Sequence, residues 1–160
     1  EMLPQLPAGQ RMDAARDYLA RPASAVEPAQ RDALATEVVA VIEQPDFAAI
    51  FGPGSRAEVP IVATLRQGDG RTRVLSGQID RLVVRDGEVW VVDFKSNRPA
   101  PMLAAQVSAQ YLGQLEAYRR ALATLYADKE IRCFLLWTDG PRLMEIPGAM
   151  LDAHGTNPTP

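Results

Sequence analysis

Between Ala57 and Lys95 the chain reads as three runs rich in Val, Ile and Leu: Ala57 to Leu65, Thr72 to Val84 and Glu88 to Lys95. They are divided by Gly68-Asp69-Gly70 and by Asp86-Gly87. Short β-branched runs cut by such turn residues are strands joined by tight connections, which predicts a three-stranded meander. A helix is then expected from about Ala104 to Ala127, with an apolar stripe through Val107, Tyr111, Leu115, Tyr118, Leu122 and Leu125. Ile131 to Thr138 and Arg142 to Ile146 read as two more strands, joined at Asp139-Gly140-Pro141. A crossover as long as that helix is what a parallel connection requires, so the strand after it is expected to pair in parallel. Upstream, residues 9 to 20 and 29 to 43 read as helices, punctuated by Pro22, Pro28 and Pro45. The sum is an α/β chain with a mixed sheet of about five strands flanked by helices. Its expected divisions are an N-terminal helical segment over 1–55, a core over 56–150 and a disordered tail over 151–160.

At 160 residues and 47% hydrophobic, the chain is long enough for one core. A chain of this size buries roughly 68 to 70% of its unfolded surface. Seventeen basic against 20 acidic residues leave a net charge of −3, so any nucleic-acid contact has to come from a local patch. Arg56, Arg66, Arg71, Arg73, Arg81, Arg85, Lys95 and Arg98 cluster in the strand region, where exposed arginines also serve solubility. Cys133 is the single cysteine, which excludes an internal disulfide and a four-cysteine iron-sulfur cluster built from this chain. A single cysteine fits a reducing cytoplasm, no apolar run is long enough to span a bilayer, and no signal core is present. The chain starts at Glu1, and Glu1-Met2-Leu3 reads as the tail of an interrupted helix, as in a piece of a longer protein.

The run Glu88 to Lys95 has apolar residues on both faces, with Trp90, Val92 and Phe94 alternating with Val89 and Val91, as in a central strand. Asp93 and Lys95 then share one face at its end. If Asp86-Gly87 is a two-residue turn, Arg85 faces Glu88, Asp80 lies opposite Asp93, and Gln78 lies opposite Lys95. Facing side chains have Cβ atoms about 4.5 to 5.5 Å apart, where like charges are destabilising. Two such carboxylates beside a lysine either share a proton or hold a divalent cation. Hydrolysis of a phosphodiester uses that grouping. Carboxylates hold Mg²⁺ or Mn²⁺ against the phosphoryl oxygens, and a lysine orients the attacking water. The only histidine, His154, lies in the expected tail, and no Walker-type phosphate loop is present.

Three stretches carry a resemblance: Gly77-Gln78-Ile79-Asp80-Arg81-Leu82, then Val91-Val92-Asp93-Phe94-Lys95-Ser96-Asn97-Arg98-Pro99, then Tyr111-Leu112-Gly113-Gln114-Leu115-Glu116-Ala117-Tyr118. With Arg56-Ala57-Glu58-Val59-Pro60 and Leu136-Trp137-Thr138-Asp139-Gly140-Pro141, they resemble the nuclease domain of the AddA helicase-nucleases, within the PD-(D/E)XK superfamily. The resemblance implies a restriction-endonuclease-like core. It also implies that Asp80, Asp93 and the Phe94 carbonyl hold Mg²⁺ or Mn²⁺, with Lys95 catalytic. Phe94 and Ser96 stand where the family more often has tyrosine and threonine.

Gln114 and Tyr118 match a Gln-x-x-x-Tyr motif that supports the site and the DNA strand, and helical spacing places them one turn apart on one face. Tyr118 is equally readable as core packing. Tyr111, Gln78 and Arg98 are further candidates for binding or support. Glu58 either adds to the acidic cluster or pairs with a nearby arginine.

The activity implied is metal-dependent cleavage of DNA, most readily of single strands fed by an ATP-driven helicase in the same full-length chain, in double-strand-break repair and recombination. An AddB-like subunit is the implied partner. The alternative is a nuclease-like domain that holds DNA or a partner without cutting, and cleavage of RNA stays open because no feature here reads the 2′-hydroxyl. The family also places a histidine ligand on the helix just before the point where this chain begins, so the chain alone is expected to be a weak nuclease.

Overall fold

The computed structural model describes residues 3–66 and 68–154, and the expectations for Glu1, Met2 and the tail beyond 154 lie outside these residues. The chain divides into two compact units, Glu1–Pro53 and Gly54–Pro160. The first holds helices α1 (Ala8–Ala20), α2 (Pro28–Glu43) and the single turn α3 (Ala48–Phe51), the last not foreseen from the sequence. Pro28 opens α2, where its missing N–H costs nothing. Ala15 and Leu19 pack against Ala35 and Val39 to form the small core of this unit.

The second unit is a five-stranded mixed sheet in the order β1 (Ser55–Arg66), β2 (Thr72–Val84), β3 (Glu88–Lys95), β4 (Glu130–Trp137), β5 (Arg142–Ile146). Asp86-Gly87 makes the expected tight turn. Gly87 takes φ +80°, Arg85 N–H donates to the Glu88 carbonyl, and β2 pairs with β3 from Val84↔Val89 to Arg81↔Val92. Helix α4 (Ala109–Leu125) returns the chain to a parallel β4, paired from Glu88↔Glu130 to Lys95↔Trp137. The helix is shorter than the predicted 104 to 127. Residues Ala104–Gln106 form a 3₁₀ turn, and Ser108 caps α4 by accepting from Tyr111 N–H at 3.4 Å.

The core lies between α4 and one face of the sheet, with Leu112, Leu115 and Leu122 over Val89, Val91, Cys133 and Leu135. Leu125, placed on the apolar stripe by spacing, is 71% exposed at the helix end. The predicted start of the tail is also corrected. Residues Gly148–Asp152 form a short helix, α5, whose Leu151 is 1% exposed because it joins the core. Among the described residues no helix is long and apolar enough to cross a membrane.

Cys133 is buried on β4, and burial pushes its thiol up to about 12. An unfolded thiol ionises near about 8.5, so between these values the native state keeps a proton that the unfolded state has lost. Stability is then lost as pH rises through that window. Cys133→Ala is expected to flatten the fall in urea stability between pH 9 and 11. An unchanged slope would show that this thiol ionises freely in the fold.

Candidate active site

Asp80 stands at an interruption in the sheet. On β1 and β2 the facing pairs run Ala57↔Arg81 and then Val59↔Ile79, and the pair between them, Glu58 with Asp80, is missing from the ladder. Glu58 has φ +53°, the left-handed region that costs a side chain of this kind about 1 kcal/mol or more. Both Ile79 and Leu82 belong to the core beneath α4, although strict alternation would put residues three apart on opposite faces. The strand therefore changes face at Asp80. On its other side the pairing with β3 stops at Arg81↔Val92, one rung before Asp80 would meet Asp93. The Asp80 carboxylate takes over the missing ladder bond: Phe94 N–H donates to its Oδ2 at 2.7 Å.

Asp93 is 3% exposed at the end of the central strand, and its Oδ2 is ion-paired with Lys95 Nζ. Burial raises its pKa, Lys95 opposes that rise, and the nearby Asp80 charge adds to it. Loss of water, rather than repulsion from Asp80, is the largest cause of the rise. Lys95 is held from a second side, with Nζ 4.3 Å from the centroid of the Tyr111 ring. Tyr111 is anchored in turn by its hydroxyl, which donates to Asn97 Oδ1 at 2.9 Å. A charged nitrogen over an aromatic face, beside a carboxylate and largely out of water, is fixed in direction.

The Gln-x-x-x-Tyr pair acts on β2. Gln114 Nε2 donates to the Tyr118 hydroxyl at 3.3 Å, and that hydroxyl donates to the Gln78 carbonyl at 2.9 Å, two residues before Asp80. Tyr118 is 4% exposed, so it is both core and support, and the two readings of it are compatible. The sequence did not show why Gly77 is needed there. A Cβ at residue 77 would lie 2.8 Å from the Tyr118 hydroxyl and 3.1 Å from its ring.

Two other expectations are corrected. Gln78 does not face Lys95, because β2 and β3 have separated by then. It pairs with Pro60 on β1, and its amide donates to the Glu58 carboxylate. Glu58 is accordingly engaged by an amide rather than by an arginine. Arg98 lies in the loop after β3, two-thirds exposed, with Nε 3.9 Å from Asp139 Oδ1. A separate cleft of about 450 Å³ runs beside the second half of α4, lined by Arg119, Arg132, Cys133 and Glu145 among others. Arg119 is paired there with Glu116 and Asp152, and Arg132 with Glu88 and Glu145, so these two arginines are already engaged. It lies away from the carboxylates and lysine that can do chemistry.

A family profile described as the PD-(D/E)XK nuclease superfamily matches residues 2–149. The chain belongs to this superfamily. Asp93-Phe94-Lys95 has the (D/E)XK spacing, and Asp80 stands on the neighbouring strand. The five-stranded mixed sheet with flanking helices is the restriction-endonuclease-like fold expected of such a nuclease. The chain is also similar to a solved structure described as the crystal structure of SSO0001, at 12% identity and a TM-score of 0.42, covering 88% of this chain and 80% of that one. No curated protein matches. Among the described residues of this PD-(D/E)XK chain, no three or more His, Cys, Asp or Glu side chains converge as a metal-holding group.

Proposed function

We propose that this chain is the DNA-cleaving domain of a bacterial helicase-nuclease of the AddA kind, acting in double-strand-break repair and recombination. The observation that carries the reading is the meeting of Asp80 with the Asp93–Lys95 ion pair at the break between β2 and β3. Two carboxylates and the Phe94 carbonyl are hard oxygen donors, a set that suits Mg²⁺ or Mn²⁺ and leaves several positions for water. A buried carboxylate whose ionisation is opposed by desolvation also gains from a cationic partner. When bound, such an ion neutralises charge on the phosphoryl oxygens and lowers the pKa of a coordinated water.

The chain's own residues do the rest. Asp80 and Asp93 would hold the ion, with the Phe94 N–H fixing one Asp80 oxygen and leaving the other to ligate. Lys95, aimed by Asp93 and Tyr111, holds the attacking water against the phosphate. Water oxygen bonds to phosphorus and gives up a proton to solvent, while the P–O bond to one deoxyribose breaks and the departing oxygen takes up a proton from solvent. The strands are delivered by helicase domains of the full-length chain, assembled with an AddB-like subunit.

The test is cleavage of end-labelled single-stranded DNA by the full-length protein, in Mg²⁺, in chelator, and with RNA of the same sequence. DNA is expected to be cut only with metal, and RNA much more slowly. Tight DNA binding without cleavage in Mg²⁺ or Mn²⁺ would instead make this a binding module, and preferential cutting of RNA would overturn the choice of substrate.

A further inference from the structure

The β1–β2 pair is much longer than the sheet needs. It stays paired out to Arg66↔Thr72, whereas β2 meets β3 only over Arg81 to Val84, so residues 72–80 of β2 have a strand on one side alone. This two-stranded arm begins at Asp80 and is held against α4 at two points. The Tyr118 hydroxyl donates to the Gln78 carbonyl, and the Arg120 guanidinium donates to the Arg66 carbonyl near the tip. Arg66, Arg71 and Arg73 are exposed at that tip, with Arg120 drawn in beside them. The turn between the strands holds one acidic residue, Asp69, which pairs with Arg71 at 3.6 Å. Among the described residues, the Arg66 and Arg73 side chains enter no ion pair. In a chain with a net charge of −3, this is a concentrated positive end.

We infer that the arm is a track for single-stranded DNA, with the arginines at its tip gripping backbone phosphates several nucleotides from the bond cut at Asp80. The inference rests on the nuclease reading above and deepens it. Two observations favour a single strand. Val62 and Val74, 75% and 66% exposed, lie on the outer face of the arm next to the uncharged Thr64 and Ser76. Unpaired bases can cover such a surface, whereas those of a duplex are stacked inside. The seven steps from Arg73 to Asp80 span roughly 23 Å at about 3.3 Å per residue. An extended single strand covers that distance in several nucleotides.

The experiment uses the double variant Arg66→Gln/Arg73→Gln, which keeps the Arg66 carbonyl and hence the Arg120 bond. Binding of a fluorescent 20-nucleotide strand is measured by anisotropy across salt concentrations, and kcat and KM in Mg²⁺ are measured on the 20-mer and on a trinucleotide. Losing two phosphate contacts is expected to make the slope of log K against log salt shallower by about 1.4, at about 0.7 per contact for single strands. Affinity for the 20-mer at low salt is expected to fall at least about tenfold. KM for the 20-mer rises while kcat, and both constants for the trinucleotide, stay as in wild type. Arg16→Gln/Arg21→Gln, the same charge change in the N-terminal unit, leaves all of these unchanged.

An unchanged salt slope overturns the inference, as does an equal loss on both substrates or an equal loss in the control. If wild-type protein neither binds nor cuts single-stranded DNA, the nuclease reading itself has failed, a result distinct from wild-type activity with an indifferent arm.

Discussion

Lys95→Met, Asp80→Asn and Asp93→Asn are each expected to lower metal-dependent DNA cleavage by about 10²- to 10³-fold or more, since each removes a group aimed at charge that develops in the reaction. On the helicase-nuclease reading proposed above, ATP-driven unwinding is expected to survive in all three, because this domain has no phosphate loop for that chemistry. Their effects on stability should differ. Asp93 and Lys95 form a largely buried ion pair, with side chains 5% and 14% exposed. Removing one partner of such a pair strands the other and costs about 3 to 5 kcal/mol. Replacing both by uncharged residues of similar volume is often neutral. Asp93→Asn is therefore expected to melt earlier, and Asp93→Asn/Lys95→Met to regain most of that stability while staying inactive. Cleavage at near-wild-type rate in any single variant would remove that residue from the mechanism. A double variant less stable than Asp93→Asn would show that the pair is not coupled as the fold indicates.

Gly77→Ala is the second large effect. The added methyl would lie 2.8 Å from the Tyr118 hydroxyl and 3.1 Å from its ring, and Tyr118 is buried with little room to retreat. Overpacking of this kind costs about 1 to 3 kcal/mol. Displacing the hydroxyl also takes a partner from the Gln78 carbonyl, a further loss of about 1 kcal/mol. Because β2 changes face two residues later at Asp80, loosening it there is expected to reduce cleavage at least tenfold without touching a metal ligand. Tyr118→Phe removes the nearest clashing atom. Gly77→Ala/Tyr118→Phe is accordingly expected to be more stable than the two single losses added together. If thermal melts show simple additivity, or if Gly77→Ala cleaves as wild type does, Tyr118 is only core and does not hold the strand that carries Asp80.

The strand meander, the parallel return after the long helix and the pairing of β2 with β3 were legible in the sequence because each depends on short-range signals. Residue alternation, a two-residue Asp-Gly turn and a crossover of sufficient length determine them without knowledge of the rest of the fold. The same register brought Asp80 toward Asp93, and the Asp-x-Lys spacing put Lys95 beside Asp93. Carrying that register one rung further failed at Gln78. Ideal alternation assumes an unbroken ladder, and this one breaks where Glu58 enters the left-handed region and Asp80 accepts a backbone hydrogen bond with its side chain. Only the tertiary structure decided that break, since no local propensity marks a glutamate for positive φ. It is maintained by contacts distant in sequence, Tyr118 on the Gln78 carbonyl and Phe94 N–H on Asp80. The need for glycine at 77 and the burial that dominates the Asp93 carboxylate have the same origin: both follow from what α4 and the neighbouring strands place against a residue, and the residue's own sequence surroundings do not contain that.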